Sequence, residues 1–156
     1  MPRRKYKKIE RKAIDPRYDD PVIGATINCV MRRGKKSIAE GIIFRALDMV
    51  KERSGKDERE VFIQAIKNIT PAVKVKSRRV GGATYQVPIE VKLDQGRSLA
   101  IRWLVAFAME RKGMSMDRKL AEEILEASEG RGGAVKKKQD THKMAEANRA
   151  FSHYRF

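Results

Sequence analysis

Residues 73–92 read VKVKSRRVGGATYQVPIEVK, and this stretch decides the architecture, because it alternates with the period of a strand while the segments around it carry helical periodicity. Val73 and Val75 share one strand face and Lys74, Lys76 and Arg78 the other. Beyond Gly81-Gly82, Tyr85, Val87, Ile89 and Val91 recur at the same spacing. The pattern predicts a two-stranded ribbon over 73–92 with an apolar side and a basic side. Superposing the apolar faces requires odd-numbered residues to pair with odd-numbered ones. That requirement predicts a three-residue loop, Gly81-Gly82-Ala83, with Val75 opposite Ile89 and Arg79 opposite Tyr85. Pro88 has no ladder donor, so its strand is expected at an edge or locally bulged. Such a row of cations either contacts a polyanion or only keeps an exposed hairpin soluble.

The charge distribution decides between these two. The formal net charge is +16, and it is segregated along the chain. Residues 1–36 carry 12 Lys/Arg against 4 Asp/Glu, and residues 37–72 carry 6 against 6. The ribbon carries 5 against 1, residues 93–129 carry 6 against 7, and residues 130–156 carry 7 against 2. Near-neutral blocks therefore support a basic arm, a basic ribbon and a basic tail, which is the footprint of a polyanion binder.

A hydrophobic fraction of 41% in 156 residues suits one domain with a sizeable core. The single cysteine, Cys29, excludes an internal disulfide framework and sits in an apolar helical stretch, where a small core thiol is expected. No run approaches the length of a membrane span and the N-terminus has no apolar signal core, so neither secretion nor a membrane partner is expected.

Residues 1–14 are too charged to fold alone and are read as a basic N-terminal arm, leaving 15–156 as the helical domain. Pro21 to Arg33 has apolar residues at helical spacing. Ser37 with Glu40 fits a capping box opening a helix that runs to about Arg53, stopped by Ser54-Gly55. Asp57 caps the next helix, which Thr70-Pro71 ends. After the ribbon, Asp94-Gln95-Gly96 is read as a turn before a helix from about Arg97 to Arg111. That helix is apolar nearly all round, with Trp103, Leu104 and Phe107 as core and Arg102 in want of a phosphate or an internal carboxylate. Ser115 opens another helix, broken by the glycines at 130, 132 and 133. A basic helix with a thin apolar stripe runs from about 134 to Ala150, with Lys136, Lys137 and Lys138 in its first turns. The fold expected is mainly α, a single domain of about six helices with one protruding β-hairpin ribbon.

Little in the chain suggests catalysis. The only histidines, His142 and His153, are 11 residues apart and too distant for a concerted pair. There is no Cys-rich zinc pattern and no phosphate-binding loop, and Gly130-Arg131-Gly132-Gly133 follows a helix, not a strand. Acidic pairs such as Glu122-Glu123 read as exposed helix surface. Neither an enzyme, a cofactor nor a metal is expected.

Charge alone does not separate RNA from DNA. One reading is a DNA-bending architectural protein with a basic ribbon arm, although Val80 is the only wedge near its tip. The other comes from specific stretches: Lys76–Glu90 (KSRRVGGATYQVPIE), Arg97–Leu104 (RSLAIRWL), Thr141–Phe151 (THKMAEANRAF), Arg33–Ser37 (RGKKS) and Pro2-Arg3-Arg4. In order, and over nearly the whole chain, these resemble the small-ribosomal-subunit protein seven family in its bacterial or organellar form.

The resemblance implies a primary ribosomal-RNA-binding protein that nucleates assembly of the small-subunit head, in the cytoplasm or an organelle stroma or matrix. It places ribosomal RNA on Arg3, Arg4, Lys5 and Lys8 of the arm, on Arg32, Arg33, Lys35 and Lys36, on Lys74 and Lys76, and on Met114 and Arg118. The tail cations Lys136, Lys137 and Lys138 join this set. Arg78, Arg79, Gly81, Gly82 and Tyr85 would lie near the exit-site transfer RNA and the messenger, and the C-terminal helix near a neighbouring protein of the subunit platform.

Overall fold

The computed structural model describes residues 14–154 as six α-helices, a β-hairpin and a closing 3-10 turn. The helices are α1 (Pro21–Val30), α2 (Lys36–Ser54), α3 (Glu58–Ile69), α4 (Leu93–Glu110), α5 (Met116–Ser128) and α6 (Gly133–Ala147). Strands β1 (Val73–Val80) and β2 (Ala83–Glu90) form the ribbon between α3 and α4, and Arg149–Tyr154 form the 3-10 turn. The mainly α expectation with one hairpin holds. No helix of the described residues is long and apolar enough to cross a membrane.

Local chemistry sets most boundaries. Asp20 accepts from the Val22 amide at 2.7 Å and Pro21 occupies the first turn, which starts α1. Gly55, at φ 63°, ends α2, and Asp57 accepts from the Glu60 amide to start α3. Four boundaries differ from expectation. α1 stops at Val30, not Arg33, because Arg33 and Gly34 both take positive φ (52° and 74°) and reverse the chain. Ser37 is no cap. α2 already begins at Lys36, whose ammonium holds Glu40 at 3.4 Å, so the reciprocal box cannot form. α4 begins at Leu93, four residues early, because Gly96 is not a breaker but a point of close approach. A Cβ there would meet Thr70 Cγ2 at 2.9 Å and the Pro71 carbonyl at 3.2 Å. The last helix ends at Ala147, and the chain tightens into the 3-10 turn instead of reaching Ala150.

α5 packs between α2 and α3 with α4 beside it, and α1 closes the outer side of α4. The core is made by Ile23 and Ile27 of α1, Leu47 and Val50 of α2, and Phe62 and Ile69 of α3. Leu104 of α4 and Leu120 and Ile124 of α5 complete it, all essentially solvent-free. Ala46, Ala65, Ala100, Ala108 and Ala127 are buried between them and let the helix axes approach. Trp103 and Phe107, expected in the core, are only half-buried at its edge, so α4 is not buried all round despite its apolar sequence.

The register of the ribbon corrects the sequence reading. Val80 pairs with Ala83 and Arg78 with Tyr85, so odd-numbered residues face even-numbered ones across a two-residue turn. Gly81 (φ 57°) and Gly82 (φ 90°) both take the positive φ that a tight turn of this kind requires, which removes the need for a third loop residue. Lys74, Lys76 and Arg78 therefore share a face with Ile89, Val87 and Tyr85. There is no purely basic side. Val87 is solvent-free, so the mixed face is the one turned to the body, with the long cations extending past its edge.

Candidate nucleic-acid interface

Ion pairs sort the cations into two populations. Arg17 holds Asp48 at 2.7 Å, Arg59 holds Asp20 at 3.0 Å, Arg45 holds Asp117 at 3.2 Å and Lys51 holds Glu58 at 3.3 Å. These pairs brace the near-neutral helices. Among the described residues, no ion pair engages Arg32, Arg33, Lys35, Lys74, Lys76, Arg78, Arg79, Arg102, Arg118, Lys119, Lys136 or Lys137. Unneutralised cations are available to phosphates.

Three elements place part of this second population along one surface. The α1–α2 turn is pinned by hydrogen bonds from the Lys35 amide to the Arg32 carbonyl (3.1 Å) and from Lys36 to Gly34 (2.9 Å), which throws Arg32, Arg33 and Lys35 outward. From there α4 runs to the ribbon base, a length of about 27 Å for its 18 residues. Gln95, Ser98, Arg102, Ala106 and Met109 recur on its exposed side. Lys74 lies beside Ser98 and Arg102 at the far end, and Arg32 reaches Met109 Sδ (3.2 Å) at the near end. Arg102 itself has no internal carboxylate. It is exposed and its Nε donates to the Ser98 carbonyl of its own helix at 3.2 Å.

The remaining candidates fall out as follows. Arg3, Arg4, Lys5 and Lys8 lie outside the described residues. Lys36 is held by Glu40. Met114 is half-buried in the α4–α5 turn and Arg118 is exposed on the first turn of α5. Lys136 and Lys137 are exposed, but Lys138 is half-buried and donates to the Asn68 carbonyl at 2.7 Å, tying α6 to the end of α3. At the ribbon tip Gly81 and Gly82 are exposed, while Arg78 and Arg79 point to opposite faces. Tyr85 stacks on Phe151 and Tyr154, with ring centroids 5.1 and 5.2 Å apart, so the C-terminal turn clasps the ribbon. At its base, the Ala72 amide donates to His142 Nε2 at 3.2 Å. Burial, and then Lys138, lower the His142 pKa and keep the ring a neutral acceptor.

One expectation is reversed. Glu123, read as exposed, is 1% accessible and receives Arg111 Nη2 at 2.6 Å, Arg111 Nε at 3.0 Å and the Ala134 amide at 2.9 Å. A buried carboxylate survives only with such a set of donors. Lys119, beside Lys35 and Arg32, was absent from the sequence candidates because its place depends on how α5 packs against the α1–α2 turn. Cys29 is half-buried against the core, and burial pushes its thiol pKa up.

The family model described as ribosomal protein S7p/S5e matches residues 2–149. Small ribosomal subunit protein uS7 of Pelotomaculum thermopropionicum is 56% identical over 156 residues, covering all of both chains. The proteins of that name from Gloeothece citriformis and Cellvibrio japonicus are 55% and 51% identical, again end to end.

Proposed function

The chain belongs to the ribosomal protein S7p/S5e family, a family of structural ribosomal proteins, and from that premise we propose how it works within the small subunit. As a small-subunit ribosomal protein it binds ribosomal RNA and serves translation. The finer reading is that it holds several RNA helices where they converge and so nucleates assembly of the head. The single observation that carries this is the run of cations without ion pairs from Arg32 through Arg102 on α4 to Lys74, with Asp94 beside its far end, on a body where Arg17, Arg45, Lys51 and Arg59 are ion-paired. A rigid body with such a surface favours the compact RNA arrangement over open ones, because only the compact one brings enough phosphates within reach.

In this reading residues 1–14 act as a separate basic arm that reaches RNA beyond the body. The ribbon tip, with Arg78 and Arg79, stands beside the exit-site transfer RNA and the messenger, and the exposed side of α6 meets a platform protein. The DNA-bending alternative gains nothing, since Val80 remains the only apolar side chain of wedge size at the tip.

Footprinting on small-subunit ribosomal RNA against duplex DNA at matched salt tests the proposal. Protection should concentrate at one multi-helix junction, and log affinity should fall with log salt by about 0.7 to 0.9 per phosphate neutralised. Equal binding to bent duplex DNA, or a flat salt dependence, would overturn it.

A further inference from the structure

Between the end of α1, the first turns of α2, the end of α4 and the start of α5 lies a cavity of about 360 Å³ open to solvent. Its floor is apolar: Val30, Ile42, Met116 and Ala39 lie beneath two exposed side chains, Ile38 (55% accessible) and Met109 (36%). Its rim is cationic, made by Arg32, Lys35 and Lys119, and no carboxylate lines it. Elsewhere on the body Arg17, Arg45 and Arg59 are exposed cations with an acid beside each of them.

We infer that this cavity receives one unstacked nucleobase of the bound RNA, with the flanking phosphates on Arg32, Lys35 and Lys119. The inference rests on the RNA-binding reading above and adds a base contact to it. Size supports a single base, because the volume lies near the lower end of small-ligand sites, roughly 300–1,000 Å³. Charge supports RNA over an apolar side chain of a neighbouring protein. An apolar peptide would leave three rim cations without counter-ions, whereas a base carries a phosphate on either side. Arg32 is already placed at the mouth, its guanidinium lying on Met109 Sδ at 3.2 Å, where its plane can cover an inserted base. An apolar floor offers few hydrogen bonds, so the cavity should accept a splayed base with weak preference among the four.

The test uses the full chain and small-subunit ribosomal RNA. Ile38→Asn and Met109→Gln remove apolar contact without removing charge, and both side chains are exposed enough to leave thermal unfolding unchanged. Each should weaken binding roughly tenfold, the loss expected for part of one apolar side chain's burial. The salt slope should stay at its wild-type value. One base protected from chemical modification by the wild-type protein should become reactive in both variants. Arg32→Gln should instead lower the slope by about 0.7 to 0.9. Wild-type affinity and protection in the Ile38 and Met109 variants would overturn the base site while leaving the RNA-binding function intact. Unchanged RNA binding with lost uptake of a neighbouring subunit protein would overturn it in favour of a protein contact. Failure of the wild-type chain itself to bind the RNA would strike the underlying function instead.

Discussion

Arg111, the C-cap of α4, grips the buried carboxylate of Glu123 on α5 with Nη2 at 2.6 Å and Nε at 3.0 Å. The other carboxylate oxygen of Glu123 accepts the Ala134 amide at 2.9 Å, so one side chain joins the end of α4 to the start of α6. Glycine is required beside it, because a Cβ at Gly133 would lie 2.6 Å from Phe107 Cδ1. Arg111 also contacts Glu126, whose hydrogen bond does most to raise its pKa, ahead of Glu123 and against the effect of burial. Glu123→Ala would leave Arg111 with Glu122 and Glu126 but strand the buried Ala134 amide, and should cost about 1–3 kcal/mol. Glu123→Gln, which keeps an acceptor, should cost less. Urea unfolding measures both as a lowered midpoint at unchanged slope.

Two carboxyls and one imidazole give the fold an acid limit. The pKa of Glu58 is lowered chiefly by its own backbone amide, then by the Tyr18 hydroxyl (3.0 Å) and Lys51, against the opposing effect of burial. Asp117 is lowered chiefly by the Ser115 hydroxyl, with Arg118 and Arg45 contributing. His142 is also lowered, by burial. For all three the unfolded chain binds protons more readily, so stability falls as pH falls. The His142 contribution is complete above its ordinary pKa of 6.5 and is lost below it, and the carboxyl contributions are lost below their ordinary values of 4.5 and 3.8. Tyr18→Phe should lower stability at neutral pH and flatten the pH dependence below 4.5, because the Glu58 pKa moves back toward that value. Denaturant midpoints across this range check the slope.

Legibility followed the range of the interactions involved. Asp57, Gly55 and Thr70-Pro71 marked helix ends correctly because caps and breakers act within a few residues. The ribbon register was missed because alternation fixes which residues share a strand face, whereas the turn fixes which faces coincide, and two glycines accept either loop length. Glu123 was misread because an acidic residue on an amphipathic helix looks solvated until Arg111, 12 residues away, is brought back to it. Clusters of like charge at Arg32–Lys35 were visible as sequence neighbours. The α4 stripe, Lys119 and the apolar floor beneath them exist only once α1, α4 and α5 are packed.

The ribbon should loosen without the body unfolding. Gly82, at φ 90°, cannot take a β-branched side chain without strain, so Gly82→Val should destabilise the hairpin by about 1–2 kcal/mol. Phe151→Ser should do the same from the other end by removing the ring that Tyr85 stacks on. Hydrogen exchange should show faster amides in 73–90 in both variants and unchanged protection in α2 and α5. Collapse of protection throughout would make the ribbon part of the cooperative core.

Ion pairing predicts an asymmetry within the basic turn. Arg32→Gln and Lys35→Gln should each reduce the salt dependence of RNA binding by about 0.7 to 0.9. Lys36→Gln should have a smaller effect, since Glu40 already neutralises that ammonium. Equal effects for all three would show that the Lys36–Glu40 pair opens at no cost on binding.

Arg33 combines a positive φ with an exposed charge. It is one of two non-glycine residues with positive φ among the described residues, at 52°, a conformation costing an L-residue about 1–2 kcal/mol. Its side chain is exposed and enters no ion pair or hydrogen bond with the described residues, so no interaction within the fold offsets that cost. The RNA contact proposed for this turn would supply a gain outside the fold, from phosphate. Arg33→Gly should therefore raise stability by roughly 0.5–1 kcal/mol, the relieved strain less the extra freedom glycine gives the unfolded chain. The same change should weaken RNA binding and lower its salt slope by about 0.7 to 0.9. Opposite signs for stability and affinity are the expected result. A variant that is less stable, or that binds RNA as the wild type does, would show that the turn is shaped for folding alone.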